Sequence, residues 1–201
     1  TSDIPAYPSI CLGTADVSLY EMVGAYSTYA NKGVWTEPVY ISRIEDKNGN
    51  VLYEKIPRKV DALSEQTAYL MLYMLRGVVD KGTGLRLRGP RYRFTNPIAG
   101  KTGTTQENSD GWFIGITPDL VSGVWTGAED RSVHFRSTNL GEGANTALPI
   151  WALYMKKVYA DATLKISKGD FTPPAGGLDV EIDCDKFKKQ SSGATNPSLD
   201  F

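Results

Sequence analysis

Residues 98–119, IAGKTGTTQENSDGWFIGITPD, place one cation and several hydroxyl groups directly after an apolar stretch. Lys101 offers a fixed positive charge, Thr102 and Thr104 offer hydroxyls, and Gly103 lets a bound molecule approach the backbone closely. Such a group would hold a carboxylate. If the stretch is an edge strand, its free backbone groups could also bind an extended peptide, and one N–H could stabilise an oxyanion. These are the requirements of acyl transfer on a peptide that ends in a carboxylate.

An ordinary structural role accounts for the same residues, because lysine and threonine are common in exposed edge strands. Cys11 and Cys184 are the only cysteines and His134 is the only histidine, so no metal-ligand cluster or histidine-dependent triad can be assembled. We therefore expect no metal or other cofactor. Cys11 is expected to be a small buried residue, and His134 is expected at the surface. Spacing alone leaves the pairing of Cys11 with Cys184 open.

Composition narrows the classes of partner. The chain has 201 residues, of which 41% are hydrophobic, which suits a folded core. Its 22 Lys and Arg against 23 Asp and Glu give a formal net charge of -1, so nucleic acid or an anionic membrane is not expected as the main partner. The apolar runs are too short to cross a bilayer and the first residues, TSDIPAYPSI, do not form a signal peptide. We expect any signal or anchor to lie upstream of this chain.

The first half of the chain predicts two helices and a hairpin. Ser18 stands in capping-box spacing with Glu21 at the start of an amphipathic helix that runs to Gly33. Asn48-Gly49 separates two β-prone stretches and suits the type I′ turn of a tight hairpin. Ser64 caps a second helix, whose apolar residues recur at helical spacing and which we expect to pack on a sheet.

Three strands are predicted in the second half, at 98–105, 111–117 and 120–127. Bulky side chains alternate with smaller ones along the middle strand, so that Gly115 and Gly123 are expected to leave room on one face for a close-packed helix. The helix that begins at Thr146 is the candidate to cover this face.

Two other segments are predicted to carry little regular structure. Residues 85–97 concentrate arginines and aromatics, and we interpret them as a solvated loop with arginine stacked on Tyr92 or Phe94. After Tyr159 the periodicity is lost, and a meandering tail is expected.

Five segments, taken in order, extend the pattern beyond KTGTT. They are LGTADVSLYEMVGAYSTYANKG (12–33), NGNVLYE (48–54), VVDKGTG (78–84), AGKTGTTQENSDGWFIGITPDLVSGVWTG (99–127) and GANTALPIWALYM (143–155). Together they closely resemble the transpeptidase domain of penicillin-binding proteins, and the LGT and the KTGTT followed by DGWF are similar to the class A, bifunctional type. The resemblance implies an α/β fold of the α+β type, β-lactamase/transpeptidase-like, with an antiparallel sheet flanked by helices.

The resemblance also implies an activity and a role for each matching residue. The family is one of serine D,D-transpeptidases that cross-link peptidoglycan through an acyl-enzyme, and they use the motifs S-x-x-K, S-x-N and K-T-G. Lys101 would keep the site positive. Thr102 and Thr104 would bind the terminal carboxylate of a stem peptide or β-lactam, the Thr104 N–H would be an oxyanion donor, and Gly103 would keep the edge clear. Thr105 is either a substrate contact or a simple strand residue.

Two of the three family motifs are not found in this sequence. No serine has a lysine three residues later, and Ser137-Thr138-Asn139, although of the form S-x-N, follows Lys101 instead of preceding it. We therefore expect the nucleophile and the first strands of the sheet to lie upstream. Residues 1–160 are interpreted as the C-terminal part of the transpeptidase domain, incomplete and inactive alone, and residues 161–201 as a partly ordered tail. Asp110 and Trp112, which match the family's D-x-W-F, are expected to be structural.

Other functions stay open at this point. The chain could come from a D,D-carboxypeptidase or serine β-lactamase of the same superfamily, or from a non-catalytic module that binds peptidoglycan. The resemblance implies D-Ala-D-Ala stem peptides and β-lactams as ligands, no nucleic acid, and a position on the outer face of the bacterial cytoplasmic membrane, in the periplasm, with membrane contact only through an upstream anchor. An exposed sheet edge also allows self-association.

Overall fold

The computed structural model describes residues 2–183 and residue 186. Within this part the chain forms helices and antiparallel strands, so the predicted α+β class is confirmed. The helices are α1 (Leu19–Ala30), α2 (Glu65–Lys81), α3 (Thr138–Gly141) and α4 (Ala147–Ala160). The strands are β1 (Val34–Thr36), β2 (Arg43–Glu45), β3 (Val51–Glu54), β4 (Lys59–Asp61), β5 (Ala99–Thr104), β6 (Asp110–Ile116) and β7 (Val121–Gly127). Short 3-10 turns lie at Pro8–Leu12, Leu85–Leu87, Gln106–Asn108 and Ala162–Leu164.

Helices α1 and α2 begin where their capping residues predict. The Ser18 hydroxyl accepts the Glu21 N–H while the Glu21 carboxylate accepts the Ser18 N–H, which completes a capping box at the start of α1. At the start of α2 the Ser64 hydroxyl accepts the Thr67 N–H. Both caps satisfy backbone donors that the first turn of a helix leaves without partners.

The sheet that carries KTG has three antiparallel strands in the order β5-β6-β7. Lys101 pairs with Ile114 and Gly103 with Trp112 across β5 and β6, and the next pairs along β6 and β7 are Ile114 with Gly123 and Trp112 with Trp125. Paired residues point to the same face. We call the face that carries Lys101, Trp112, Ile114 and Trp125 the cleft face, and the opposite face, which carries Phe113 and Gly115, the α4 face.

Helix α4 covers the α4 face, as predicted. Trp151 is fully buried there, its ring centroid lies 5.1 Å from that of Phe113, and its indole N–H donates to the Ser122 hydroxyl at 2.8 Å. A Cβ atom at Gly115 would lie 2.2 Å from the Trp151 ring. Glycine is therefore required at this position for the helix to approach the strand.

The prediction that Gly115 and Gly123 open the same face is wrong. Gly123 pairs with Ile114 and lies on the cleft face, where a Cβ atom would meet Leu19 and Val23 of α1 at less than 3 Å. The two glycines admit helices to opposite faces because Gly123 is paired with Ile114, the neighbour of Gly115 on β6, and successive residues of a strand point to opposite faces. Helix α1 packs on β7 through the second opening.

Residues 85–97 are more than the solvated loop that their composition indicates. Leu87, Tyr92 and Phe94 are buried in the cluster that contains Trp151, since the segment turns inward beneath α4. The predicted stacking of arginine on an aromatic ring is present, with the Arg91 guanidinium 5.4 Å from the Tyr92 ring centroid. Apart from the 3-10 turn the segment is a loop, as predicted, but it is not solvated, because its apolar side chains are buried in the core.

The segment after α4 adds a side chain to the core. Phe171 is buried against Leu72 and Leu75 of α2 and against Ile116 of β6, and the neighbouring Asp170 accepts a hydrogen bond from Arg76 at 2.9 Å. Residues 187–201 lie outside the described residues, so the predicted partly ordered tail stays a prediction.

Two smaller expectations need correction. The predicted hairpin forms from β2 and β3, but of Asn48 and Gly49 only Gly49 has a positive φ, so the turn is not type I′. Cys11 is exposed in its 3-10 turn and not buried. Cys184 lies outside the described residues, so its pairing with Cys11 stays open.

In the described part of the chain no helix combines the length and the apolar character needed to span a membrane.

Candidate active site

Strand β5 lies at the edge of the sheet, with one side available to a further strand. The Thr105 N–H donates to the Asp110 carbonyl of the neighbouring chain segment. Since only alternate residues of an antiparallel pair exchange backbone hydrogen bonds, Lys101 and Gly103 bond to β6 in the same way. The N–H and C=O groups of Thr102 and Thr104 therefore point to the free edge, where an extended peptide could pair with them.

The Lys101 ammonium group is held at this edge. Its side chain is exposed on the cleft face, and Nζ donates to the Thr102 carbonyl at 2.8 Å. Thr104 is exposed as well, so neither the cation nor the proposed oxyanion donor is enclosed in the fold. Lys101 and Thr104 therefore offer a positive charge and a backbone N–H within one stretch of four residues.

The hydroxyls of Thr102 and Thr104 are positioned by residues that lie outside the K-T-G motif. Alternation turns both side chains away from the Lys101 side of the strand. Thr102 Oγ1 lies 2.7 Å from Thr83 Oγ1, and Thr104 Oγ1 accepts the Gly143 N–H at 3.1 Å. Because the Thr104 oxygen is used as an acceptor, its own proton is left to donate to an incoming anion.

Thr83 and Gly143 carried weak signals in the sequence. Thr83 lies in the glycine-rich turn after α2, and Gly143 opens the segment that leads into α4; both belong to segments that carry the family resemblance. Their contact with β5 does not follow, because it joins residues 19 and 39 positions apart.

The hydroxyl of Thr105 is used within the turn between β5 and β6. It lies 2.6 Å from Asp110 Oδ1, to which it donates, and 2.8 Å from Ser109 Oγ. The Asp110 N–H in turn donates to the Thr105 hydroxyl at 3.1 Å. These contacts tie the two strands together at the end of β5 and give Asp110 the structural contact that the sequence predicted.

A cleft of about 830 Å³ lies on the cleft face, within the usual range of ligand pockets. Its walls are the segment 4–17, α1 and the stretch Lys101–Gln106, and its floor includes Trp112 and Trp125. Among the described residues that line it there is no serine or cysteine. Ser137, Thr138 and Asn139 do not line it either, so the S-x-N form of that tripeptide has no place in this site.

The comparison with family models gives a match over more than half of the chain. Residues 7–128 match the penicillin binding protein transpeptidase domain, and this range contains β5 and helix α1, which both line the cleft. The chain belongs to this family. The segment that carries the match includes Lys101-Thr102-Gly103, which the structure places at the exposed edge.

Curated relatives in the family are class A penicillin-binding proteins. Penicillin-binding protein 1A of Aquifex aeolicus is 36% identical over 183 residues and penicillin-binding protein 2D of Bacillus subtilis is 37% identical over 187 residues. These alignments cover 90% and 91% of this chain, but only 23% and 26% of the relatives. The chain thus spans about a quarter of their length.

Among solved structures, penicillin-binding protein 1A of Haemophilus influenzae is similar to this chain. The TM-score is 0.66 at 27% sequence identity, and the match covers 78% of this chain and 28% of that one. The predicted family, its class A type and the transpeptidase-like fold are confirmed.

Proposed function

We propose that this chain supplies one wall of the active site of a D,D-transpeptidase that cross-links peptidoglycan. The observation that carries the proposal is the exposed edge of β5, where Lys101 and the backbone of Thr104 lie beside a cleft of about 830 Å³ in a penicillin-binding protein domain. The substrate would be a stem peptide that ends in D-Ala-D-Ala, and a β-lactam would occupy the same place.

Each residue of the strand has a role in this proposal. The hydroxyls of Thr102 and Thr104 hold the terminal carboxylate, and Lys101 keeps the site positive, because positive charge and hydrogen-bond donors favour an anion. The N–H of Thr104 donates to the scissile carbonyl oxygen as negative charge develops there. Gly103 leaves the edge open to the peptide backbone. Thr105 makes no direct contact with the peptide in this proposal, since its hydroxyl and its backbone N–H are both bound to Asp110.

The nucleophile is supplied by another part of the protein that carries this chain. The cleft lining includes no serine among the described residues, and no serine of the sequence precedes a lysine in S-x-x-K spacing. A serine hydroxyl would attack the penultimate carbonyl carbon, form an ester and release D-Ala as an amine that takes up a proton. An amine of a second stem peptide would then displace the serine.

Two alternatives predict different reactions. In a D,D-carboxypeptidase or serine β-lactamase, water instead of an amine would release the acyl group, so the protein would hydrolyse stem peptides without joining them. A non-catalytic binding module would form no acyl-enzyme. Analysis of products from two stem peptides with the longer protein separates cross-linking from hydrolysis and from binding alone.

A first experiment uses the 201-residue chain by itself. With a fluorescent penicillin it should show no covalent label after denaturing electrophoresis, because it lacks the serine nucleophile. The longer protein is the positive control. A saturable covalent adduct on the 201-residue chain would contradict the proposed division of the site.

A second experiment tests Lys101 in the longer protein. Lys101→Ala should lower the second-order rate of acylation by a penicillin by about 100-fold or more, the usual loss for one electrostatic contact to a transition state. The unfolding midpoint should move little, because Lys101 is exposed. Lys157→Ala is the matched control, since Lys157 is exposed on α4 and does not line the cleft. Equal acylation rates for Lys101→Ala and the parent would remove Lys101 from the site.

We also propose the location and partners that follow from this role. The domain would work on the outer face of the bacterial cytoplasmic membrane, in the periplasm, with an anchor in another part of the protein. Pairing of two chains through the free edge of β5 is a further prediction, and analytical ultracentrifugation of the chain tests it.

A further inference from the structure

A second cation lines the cleft at a distance from Lys101 along the sheet. Arg131 follows β7 and belongs to the same lining as Lys101 and Gln106. The floor between the two cations includes the paired side chains of Trp112 and Trp125. Lys101 and Arg131 are the two cations among the described residues that line the cleft, so it can offer positive charge at two separate places.

Arg131 is held by one weak interaction. Its Nη2 lies 2.8 Å from Asp16 Oδ1, in an ion pair whose side chains are 66% and 91% exposed. Exposed pairs of this kind contribute only about 0 to 1 kcal/mol to stability. The carboxylate of Asp16 can therefore be exchanged for that of a ligand at little cost. Arg88, by contrast, is bound to Asp80 and to the carbonyls of Phe94 and Asn96 and is fixed in place.

The shape of the edge sets the direction in which a peptide extends. Ala99 and Gly100 are buried, so a peptide whose terminal carboxylate lies at Lys101 continues past Thr104 towards Gln106. Gln106, Asp110 and Arg131 all line the cleft, and Asp110 is paired with Gly127 at the end of β7 from which the chain continues to Arg131. The residues upstream of the scissile bond therefore run towards the end of the cleft where Arg131 lies.

Charge at that end favours an acidic group on the peptide. Asp110 also lines the cleft, but its carboxylate accepts the Thr105 hydroxyl. The guanidinium is planar and has several N–H donors in a fork that matches a carboxylate. We propose that Arg131 is a specificity-determining residue, which binds a second carboxylate on the peptide upstream of the scissile bond and exchanges Asp16 for it. This inference rests on the proposed function.

The test compares two penicillins that differ by one carboxylate. Benzylpenicillin and α-carboxybenzylpenicillin share the ring carboxylate, and the second carries another carboxylate on its acyl side chain. In the longer protein, Arg131→Gln should lower the rate of acylation by the dicarboxylate about 3- to 5-fold, the upper part of the range for a solvent-accessible charge pair. The rate with benzylpenicillin should stay within about twofold, because it lacks the second anion.

Three further variants sharpen the result. Asp16→Asn removes the competing carboxylate and should raise the rate with the dicarboxylate alone. Arg136→Gln is the matched control, because Arg136 is exposed and does not line the cleft, and it should leave the ratio of the two rates unchanged. Arg131→Lys keeps the charge and should restore part of the ratio if Arg131→Gln folds poorly.

The outcomes separate the two proposals. The role of Arg131 would be overturned if the ratio of the two acylation rates were unchanged in both Arg131→Gln and Asp16→Asn. It would also be overturned if Arg131→Gln lowered the rates with both penicillins equally. Either outcome would leave the transpeptidase proposal standing. If neither penicillin acylates the longer protein, the proposed function fails, and the inference fails with it.

Discussion

The two faces of one three-stranded sheet serve different purposes in this domain. On the α4 face, Phe113 and Trp151 are fully buried and Gly115 lets the helix lie against the strand. On the cleft face, Lys101 and Trp125 are exposed beside a cleft of about 830 Å³. The same strands contribute to both, because successive side chains of a strand point in opposite directions. Helix α4 packs closely on one face, whereas the helices on the other face leave a cleft open for binding.

The cleft face is itself divided along its length. At one end, α2 and Phe171 close over Ala99 and Ile116. At the other end, beyond Lys101, the paired Trp112 and Trp125 remain on the floor of the cleft. A peptide can therefore reach only half of this face, and the buried half anchors the strand whose outer half would do the chemistry.

The substitution with the largest expected effect is Gly115→Val, which tests the close packing of the α4 face. A side chain at this position would collide with the Trp151 ring, which a Cβ atom would already approach to 2.2 Å. We expect a loss of about 3 kcal/mol or more, at the upper end of overpacking effects. Urea denaturation of the chain measures it.

Gly77→Ala is the control for that substitution. A Cβ atom at Gly77 would have no neighbour within 4 Å, and alanine is the better helix former by about 1 kcal/mol. The variant should be as stable as the parent or more so. If Gly115→Val were equally well tolerated, the α4 face would not be the close-packed one.

A second substitution, Phe171→Ala, tests the closed end of the cleft face. Removing a buried phenylalanine side chain costs about 3 kcal/mol or slightly more, and Phe171 is only 5% exposed. Thermal unfolding checks the loss. Phe135→Ala, at an exposed phenylalanine, should change stability by less than about 0.5 kcal/mol. Similar melting curves for the two variants would show that the segment after α4 is not part of the core.

The smallest effect concerns the wall of the open end and depends on pH. Hydrogen bonds from the Ser18 backbone and from Ser2 lower the pKa of the Glu21 carboxyl to about 2 from an ordinary 4.5. The charged form is the one stabilised, so this contribution is present above about pH 4.5 and is lost as the pH falls towards 2. Amide signals of residues 2–17 should shift over this range.

Glu21→Gln should remove that pH dependence, since glutamine carries no titrating group. Glu129→Gln, at an exposed residue after β7, should preserve it. Unchanged signals of the segment between pH 5 and pH 2 in the parent would show that Glu21 does not hold the wall of the cleft.

Much of the fold could be predicted because its signals are short in range. The capping residues Ser18 and Ser64 fixed where two helices begin, and helical spacing of apolar residues gave their extent. The family resemblance, from Lys101-Thr102-Gly103 and the segments around it, was confirmed. The sequence placed Gly123 on the wrong face of the sheet, because alternation within one strand does not say which residues of two strands are paired.

The sequence by itself determined the three longer helices, the hairpin of β2 and β3, the strands β5, β6 and β7, and the set of residues at the candidate site. These depend on local conformational preferences and on motifs that lie within a few positions of one another. The tertiary structure alone decided that Thr83 and Gly143 contact the two threonines of β5, that Phe171 completes the core, and that Arg131 shares a cleft with Lys101. Each of these contacts joins distant parts of the chain, and only the packing of helices on both faces of the sheet brings them together.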